Sequence, residues 1–225
     1  MKSFFALYVK ELKANKTRFL FLLLLIAGLN AYGLIRIENL ELKTWSVLAA
    51  AFTLVLSLPF LLAHAFNSEW KSETHYQMFA LPVPQYIVIL AKIAAVVSRG
   101  IVGGIIVISC LYLWLISTAA GDIRLSFFGR EVTGVPTFFD FGLVAGLILV
   151  TYMVFILGVV TGMEGVKFAV KRYRRLVAVA FFIFAVFVYG WLLPQDDWFP
   201  LVYTILMGVF FMILGLVMYE KRAEI

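Results

Sequence analysis

The sequence offers few side chains that could carry out chemistry, and they are scattered. The histidines, His64 and His75, lack the cysteine or carboxylate neighbours that a metal site needs, and the single cysteine, Cys110, lies in an apolar stretch. No His-Glu-x-x-His, Gly-x-Ser-x-Gly or Cys-x-x-Cys motif occurs, nor does the Gly-x-x-x-x-Gly-Lys-[Ser/Thr] loop that binds nucleotide phosphates. These patterns predict a chain that is not an enzyme and has no metal or ATP site of its own.

The most distinctive polar segment covers residues 67–84, with the sequence NSEWKSETHYQMFALPVP. Its first part has the composition of an amphipathic helix, and Pro82 and Pro84 would end that helix. Usual connections are about 4–6 residues long, so this segment is longer than a simple reversal of the chain requires. Two interpretations stay open: a surface that docks a partner protein, or an ordinary interfacial helix.

The elements that must position these residues are strongly apolar. Of the 225 residues, 64% are hydrophobic and 14% are charged, and the mean hydropathy is +1.01. Soluble domains are roughly 45–50% apolar and about 25% charged. A soluble fold of this size could not hide the excess, because roughly a quarter to a third of its unfolded-chain surface stays exposed. The composition therefore excludes a soluble enzyme and a disordered tail, and it predicts one transmembrane domain over residues 1–225.

Six apolar stretches are long enough to cross a bilayer, which takes about 20 residues each. They cover residues 19–35, 45–66, 96–117, 138–162, 176–193 and 199–219. The basic segment before the first stretch is too long for a secretory signal, and no small-residue cleavage site follows. We therefore predict an all-α integral membrane protein with six transmembrane helices.

The basic residues predict the orientation of these helices. Six spans put both termini on one side, and if that side is the cytoplasm, 15 of the 19 Lys and Arg residues lie inside. Acidic residues divide six inside and seven outside, so the net charge is +9 inside and −3 outside. The total net charge of +6 is therefore explained by the excess of basic residues on the cytoplasmic side, and it does not indicate that the chain binds nucleic acid. We predict a cell (plasma) membrane protein with cytoplasmic termini and with residues 67–84 in the cytoplasm.

The third helix is predicted to be longer than the bilayer is thick. An apolar helix over residues 86–117 would measure about 48 Å, against about 30 Å of hydrocarbon. Its first turns would therefore leave Lys92 in water and put Arg99 at the inner boundary, where the guanidinium reaches the headgroups. The alternative is that Arg99 lines a polar cavity.

Three segments lie outside the predicted spans. Residues 1–18 have apolar residues at positions 4, 5, 8, 9 and 12 with lysines mostly elsewhere, so we predict an amphipathic interfacial helix favoured by anionic lipid, or a basic flank that sets topology. Residues 163–175 carry five basic residues and are interpreted as lipid-facing charge that sets topology, with partner binding as the less favoured alternative. Residues 118–137 are predicted to form an outer loop broken by glycine and proline.

Glycine pairs with a spacing of four occur in three of the spans. They are Gly100 with Gly104, Gly142 with Gly146, and Gly158 with Gly162. This spacing puts each pair on one helix face and allows another helix to approach closely. We predict that the pairs are sites of helix packing, within the chain or between subunits.

Polar groups within the spans are sparse. An intramembrane enzyme would need several polar side chains at mid-membrane depth, and the spans offer only Ser109, Cys110, Thr151 and Tyr152. This small number disfavours an intramembrane enzyme. Acidic residues are missing from the middle of every span, which disfavours proton- or sodium-coupled transport. Asp140, the nearest candidate, lies at the outer end of the fourth span.

Two longer stretches of sequence carry a family likeness. They are residues 8–25, YVKELKANKTRFLFLLLL, and residues 68–93, SEWKSETHYQMFALPVPQYIVILAKI. The first resembles the amphipathic amino-terminal helix, with a Lys-Glu-Leu core, of type-2 ATP-binding-cassette exporter permeases. The second resembles the same family's segment between spans two and three, through Glu69, Glu73, Thr74, Phe79, Leu81, Pro82 and Lys92. Members often have re-entrant helices before the last span, whereas only residues 194–198 separate spans five and six here, so the likeness implies nothing about an outer gate.

The resemblance implies a permease subunit that forms half of a translocation path and couples to a separate cassette ATPase subunit. In this family the segment between spans two and three is a coupling helix that sits in a groove of the ATPase. The corresponding residues here are Glu69, Trp70, Glu73, Thr74, His75 and Tyr76. ATP and Mg²⁺ would bind to the ATPase subunit, so this chain would hold no cofactor. A second permease, identical or related, and membrane lipid are further expected partners.

The substrate and one alternative function follow from weaker observations. Aromatic residues make up 16% of the chain and the spans hold few charges, which suits a hydrophobic or amphipathic substrate such as a peptide or a lipid-like molecule. The alternative is a membrane assembly or immunity protein that binds a cytosolic partner and transports nothing. It would carry the same docking segment.

Overall fold

The structure is a computed structural model that describes residues 2–14, 16–35, 40–71, 84–118, 124–127, 130–133, 137–170, 173–191 and 199–223. These residues form seven α-helices and one hairpin of two short strands. In chain order the elements are α1 (Lys2–Ala14), α2 (Lys16–Ile35), α3 (Leu40–Lys71), α4 (Gln85–Thr118), β1 (Arg124–Phe127), β2 (Arg130–Thr133), α5 (Phe138–Ala169), α6 (Arg174–Trp191) and α7 (Phe199–Ala223). The helices α2 to α7 are long and apolar enough to cross a membrane, which confirms the six predicted spans.

Local sequence signals explain where two of these helices begin. At the start of α5, the Thr137 hydroxyl oxygen accepts the Asp140 amide hydrogen at 3.2 Å and donates to the Asp140 carboxylate at 2.6 Å. This reciprocal pair caps the helix and accounts for Asp140 as an exposed capping residue. Pro200 lies in the first turn of α7, where its missing amide hydrogen would have had no partner within the helix.

Three helices extend further than ordinary membrane spans: α3 and α5 have 32 residues each, and α4 has 34. The 34 residues of α4 confirm that the third helix is longer than the bilayer is thick. The 32 residues of α5 continue to Ala169, seven residues past the predicted end of the fourth span at residue 162. Glu164 and Gly165 lie in this extension and are buried.

A β-hairpin lies within the region where the sequence predicts an irregular outer loop. Strands β1 and β2 are antiparallel, with Arg124 opposite Thr133 and Phe127 opposite Arg130. Only residues 128–129 connect them, a length typical of tight hairpins. The alternation of polar and apolar residues in RLSF and REVT favours short strands, and this signal outweighs the glycines around it.

The chain divides into two compact units, and the boundary falls within α3, α4 and α5. One unit comprises Thr17–Ser57 and Arg99–Val150, and its core contains Ile26, Ala50, Leu54 and Val107. In this unit a Cβ on Gly103 would collide with Leu54, and one on Gly104 with Leu149 of α5, so α4 packs closely at both glycines. Gly100 is buried as well.

The other unit comprises Met1–Lys16, Leu58–Ser98 and Thr151–Ile225. Its core includes Val159, Ala185 and Phe211, from α5, α6 and α7. Here α5 and α7 approach through glycines: Gly158 lies against the backbone of Gly208, Gly162 against the carbonyl oxygen of Phe211, and Gly165 against the backbone of Gly215.

The remaining predicted glycine pair, Gly142 with Gly146, has different surroundings. A Cβ on Gly142 or Gly146 would meet no described atom within 4 Å. The face of α5 that carries this pair is therefore open in the described part of the chain.

Candidate functional site at the end of α3

Lys92 of α4 is one of the most completely buried side chains, with 1% of its surface exposed. Its Nζ donates to Glu11 Oε1 of α1 at 2.8 Å and to the backbone carbonyl of Ala65 in α3 at 3.1 Å. The expectation that Lys92 lies in water is therefore wrong. Burying an ammonium group is costly unless it is paired, and Glu11 supplies the opposite charge.

A second contact joins α1 to α4. The Tyr8 hydroxyl lies 2.7 Å from Ser98 Oγ, and Ser98 Oγ donates to the carbonyl of Ala94 at 2.8 Å. Because the Ser98 hydrogen is used in that bond, Tyr8 is the donor to Ser98. Tyr8 and Glu11 are three residues apart on one face of α1, so this face is fixed to α4 at two points.

Another lysine reaches the same part of α3 from α5. Lys167 Nζ donates to both carboxylate oxygens of Glu164 and to Asn67 Oδ1, each at 2.9 Å. Glu164 is almost fully buried, whereas Lys167 keeps part of its side chain exposed. The interpretation of residue 167 as lipid-facing charge is therefore wrong, since its ammonium group is engaged by α5 and α3.

Aromatic rings complete this environment. The ring of Tyr219 in α7 stacks on Phe66 of α3 with a centroid distance of 5.8 Å, and on Phe168 of α5 with a distance of 4.8 Å. The two interplanar angles are 22° and 25°. The tyrosine thus links the ends of three helices.

These contacts converge on three consecutive residues of α3. We call the group the α3-end cluster, and it consists of Ala65, Phe66, Asn67, Glu11, Lys92, Glu164, Lys167 and Tyr219. Its two lysines and two glutamates balance when ionised. Because α3 ends at Lys71 and α4 begins at Gln85, the cluster holds the helix from which the chain enters residues 72–83.

The sequence-predicted coupling residues adjoin this cluster in the chain. Glu69 and Trp70 belong to the last turn of α3. The other four, Glu73, Thr74, His75 and Tyr76, lie outside the described residues. The structure therefore places the start of the predicted coupling segment on a continuous helix that runs through the cluster.

Arg99 is also enclosed by protein, with 3% of its surface exposed. Its guanidinium carbon lies 6.0 Å from the centre of the Phe19 ring, within the range of a cation–π contact. The expectation that Arg99 reaches lipid headgroups is therefore wrong.

Two hydroxyl groups inside the spans bond within their own helices. The Ser109 hydroxyl donates to the carbonyl of Ile105, and Thr161 donates to the carbonyl of Leu157. In the described part of the chain, His, Cys, Asp and Glu side chains nowhere form a group of three or more that could hold a metal ion.

Of the eight members of the α3-end cluster, sequence reasoning named only Lys92 as a candidate site residue. It missed the other seven, which are Glu11, Ala65, Phe66, Asn67, Glu164, Lys167 and Tyr219. One signal was available, because Glu164 and Lys167 are opposite charges three residues apart, which is contact spacing on a helix. The other contacts join residues 81 and 100 positions apart, and a single sequence carries no signal for them.

Comparisons of the chain with protein-family models, with curated proteins and with solved structures find no match. The fold and the composition nevertheless define a class. The described part of the chain has six helices that are long and apolar enough to cross a membrane, which is the pattern of a multi-pass membrane protein.

Proposed function

We propose that the chain is the permease subunit of an ATP-driven exporter, forming half of a translocation path and coupling to a separate cassette ATPase. The observation that carries the proposal is the position of the α3-end cluster. Contacts from α4, α5 and α7 converge on the last turns of α3, directly before the segment whose sequence resembles a coupling helix. The helix α1 joins this group through α4, because Glu11 binds Lys92.

The geometry supports a mechanism for transmitting movement. An ATPase that pushes on residues 69–76 would act on the end of α3, and the cluster would pass that displacement to the helices it joins. Rigid elements linked by charge pairs and packed rings are suited to such transmission. ATP and Mg²⁺ would be bound by the partner, so the contribution of this chain is mechanical.

We place both termini in the cytoplasm of a cell membrane, with α1 along the inner leaflet. The charge asymmetry of the sequence supports this orientation. The surface of α1 supports its interfacial position, because Phe5 and Val9 are exposed beside the exposed Lys10 and Lys13. Apolar side chains next to lysines suit the boundary between acyl chains and anionic headgroups.

A second permease subunit is part of the proposal, because six spans make half of a path. The open glycine pair of α5, Gly142 and Gly146, supports a helix contact with that subunit. The substrate that we propose is hydrophobic or amphipathic, either a peptide or a lipid-like molecule, since the spans are apolar and rich in aromatic residues.

The test is copurification of the tagged chain with a coexpressed cassette ATPase. We expect a stable complex, and we expect the double change Glu69→Ala and Glu73→Ala to weaken it. Glu220→Ala is the matched control, because Glu220 is an exposed glutamate near the end of α7. A complex that survives the double change would count against the coupling assignment, and its absence in the unmodified pair would count against the function.

The alternative, a non-transporting assembly or immunity protein, is favoured by the same docking segment. It differs in one measurable respect. In a reconstituted complex, an exporter predicts ATP hydrolysis that rises with substrate, whereas the alternative predicts no response to any hydrophobic peptide or lipid.

A further inference from the structure

The two lysines of the α3-end cluster contact α3 in a similar way. Lys92 comes from α4 and Lys167 from α5, yet they donate to groups two residues apart on α3, the Ala65 carbonyl and the Asn67 side chain. Each ammonium group is also bound by a glutamate from a helix other than α3, Glu11 in one case and Glu164 in the other.

Ion pairing alone does not account for this arrangement. A lysine has three donor hydrogens, and its glutamate partner satisfies the charge. Lys167 binds both carboxylate oxygens of Glu164 on its own helix and also donates to Asn67 of α3. Lys92 binds Glu11 and also donates to the Ala65 carbonyl of α3. The carbonyl of Ala65 can accept such a bond in addition to its helical one, because a carbonyl oxygen has two lone pairs.

We propose that Lys92 and Lys167 are positioning residues that clamp the end of α3 from two sides and so set where the chain enters residues 72–83. Glu11 and Glu164 neutralise the two lysines and keep them aimed at α3. The clamp is a property of this chain alone, whereas its use in coupling rests on the proposed function.

In an exporter, the clamp would determine how much of the ATPase movement reaches the spans. With both lysines in place, the end of α3 moves together with α4 and α5. Without them, α3 would still carry the segment that contacts the ATPase, but its movement would be partly lost before it reached the other helices. A chain without the two lysines would then still bind the ATPase but would couple ATP hydrolysis to transport less effectively.

The direct test is hydrogen–deuterium exchange, followed by mass spectrometry, on the purified chain in lipid nanodiscs. The readout is the backbone amides at positions 65–71. We expect Lys92→Met and Lys167→Met to accelerate exchange there roughly tenfold to a hundredfold, the factor that corresponds to losing a hydrogen bond from a charged donor. Lys13→Met is the matched control, because Lys13 is exposed on α1, and it should leave these amides unchanged.

A double variant separates positioning from simple stabilisation. Glu11→Leu combined with Lys92→Met removes both charges, so resistance to unfolding should recover relative to either single change. The bond to the Ala65 carbonyl remains absent in this variant. The clamp therefore predicts that exchange at positions 65–71 stays fast although stability returns, whereas a merely structural ion pair predicts that both recover together.

The second lysine offers variants that carry less risk of misfolding, because Lys167 and Asn67 are not fully buried. Asn67→Leu removes the acceptor and should accelerate exchange locally. Lys167→Arg keeps the charge and the donors and should preserve protection. Unchanged exchange at positions 65–71 in Lys92→Met, Lys167→Met and Asn67→Leu, with α7 still protected, would overturn the proposal.

Failure of the clamp proposal and failure of the proposed exporter function give different results. If no coexpressed cassette ATPase copurifies with the unmodified chain, the exporter is wrong, but the exchange result still decides whether the clamp exists. If the ATPase does copurify, the double variant of Glu11 and Lys92 should retain it and lose substrate-dependent stimulation of ATP hydrolysis. Full stimulation in that variant would contradict the role of the clamp in coupling.

Discussion

The glycine contact between α5 and α7 allows a quantitative test of the packing. A Cβ added at Gly208 would lie 2.7 Å from the Cα of Phe155, and one at Gly215 would lie 2.5 Å from the carbonyl oxygen of Thr161. Real carbon contacts lie at about 3.5–4.0 Å, so either methyl group would force the helices roughly 1 Å apart. We therefore expect Gly208→Ala and Gly215→Ala to weaken the fold.

The expected loss of unfolding free energy is defined relative to Gly142→Ala and Gly146→Ala, where the added methyl group meets no described atom within 4 Å. Alanine favours a helix over glycine by about 1 kcal/mol, and this gain applies to all four variants. The difference between the two pairs therefore isolates the packing term, which is about 1–3 kcal/mol for an overpacked site. The changes at Gly142 and Gly146 should be neutral or stabilising in the isolated chain.

The assay is equilibrium unfolding in mixed micelles, followed by tryptophan fluorescence. The free energy of unfolding should be lower for Gly208→Ala and Gly215→Ala than for the two control variants, by about 1–3 kcal/mol. Equal free energies for all four variants would mean that α5 and α7 do not approach at these glycines, and the packing described for this unit would then be wrong.

Three further predictions concern the ion pair, a hydroxyl contact and the orientation. Glu11→Leu or Lys92→Met alone should lower the free energy of unfolding by about 3–5 kcal/mol because each leaves a buried charge, and the combined change should restore most of it. If the two losses simply add, the residues are not paired. Thr204→Val removes the hydroxyl that lies 3.0 Å from the Tyr189 hydroxyl and donates to the Pro200 carbonyl at 2.6 Å. It should cost about 0.6 kcal/mol in the same assay and no more than about 1.7 kcal/mol, the range for interhelical hydrogen bonds in membranes; a larger loss would indicate a role beyond these two bonds. In a cysteine-free background, Glu224→Cys should react with a membrane-impermeant maleimide only after the cells are opened, and Ser126→Cys should react in intact cells. The reverse pattern would invert the proposed orientation.

The six spans were predictable because their signal is local. A run of about 20 apolar residues is enough by itself to predict a helix that can cross a membrane, and the structure has a helix at each of the six predicted spans. The length of α4 was predictable for the same reason. The end of α5 was not, because a charged residue in a sequence indicates water, whereas Glu164 is buried with a partner one turn away.

The α3-end cluster could be predicted only in part. The sequence pointed to the segment after α3 through its length and its carboxylate and aromatic residues. It placed Lys92 in water, because the countercharge on Glu11 comes from a helix 81 residues away. Pairings of this kind depend on how the helices assemble, and hydrophobic periodicity does not encode them.

Contact between the segment after α3 and a cassette ATPase, which the proposed function requires, can be detected by site-specific photocrosslinking. A photoreactive amino acid would replace Thr74 in cells that also express the ATPase, with the same replacement at Ser126 as the control. We expect an adduct of the two proteins from position 74 and none from position 126. An absence of adduct at position 74, with both proteins present in the membrane, would contradict the proposed contact.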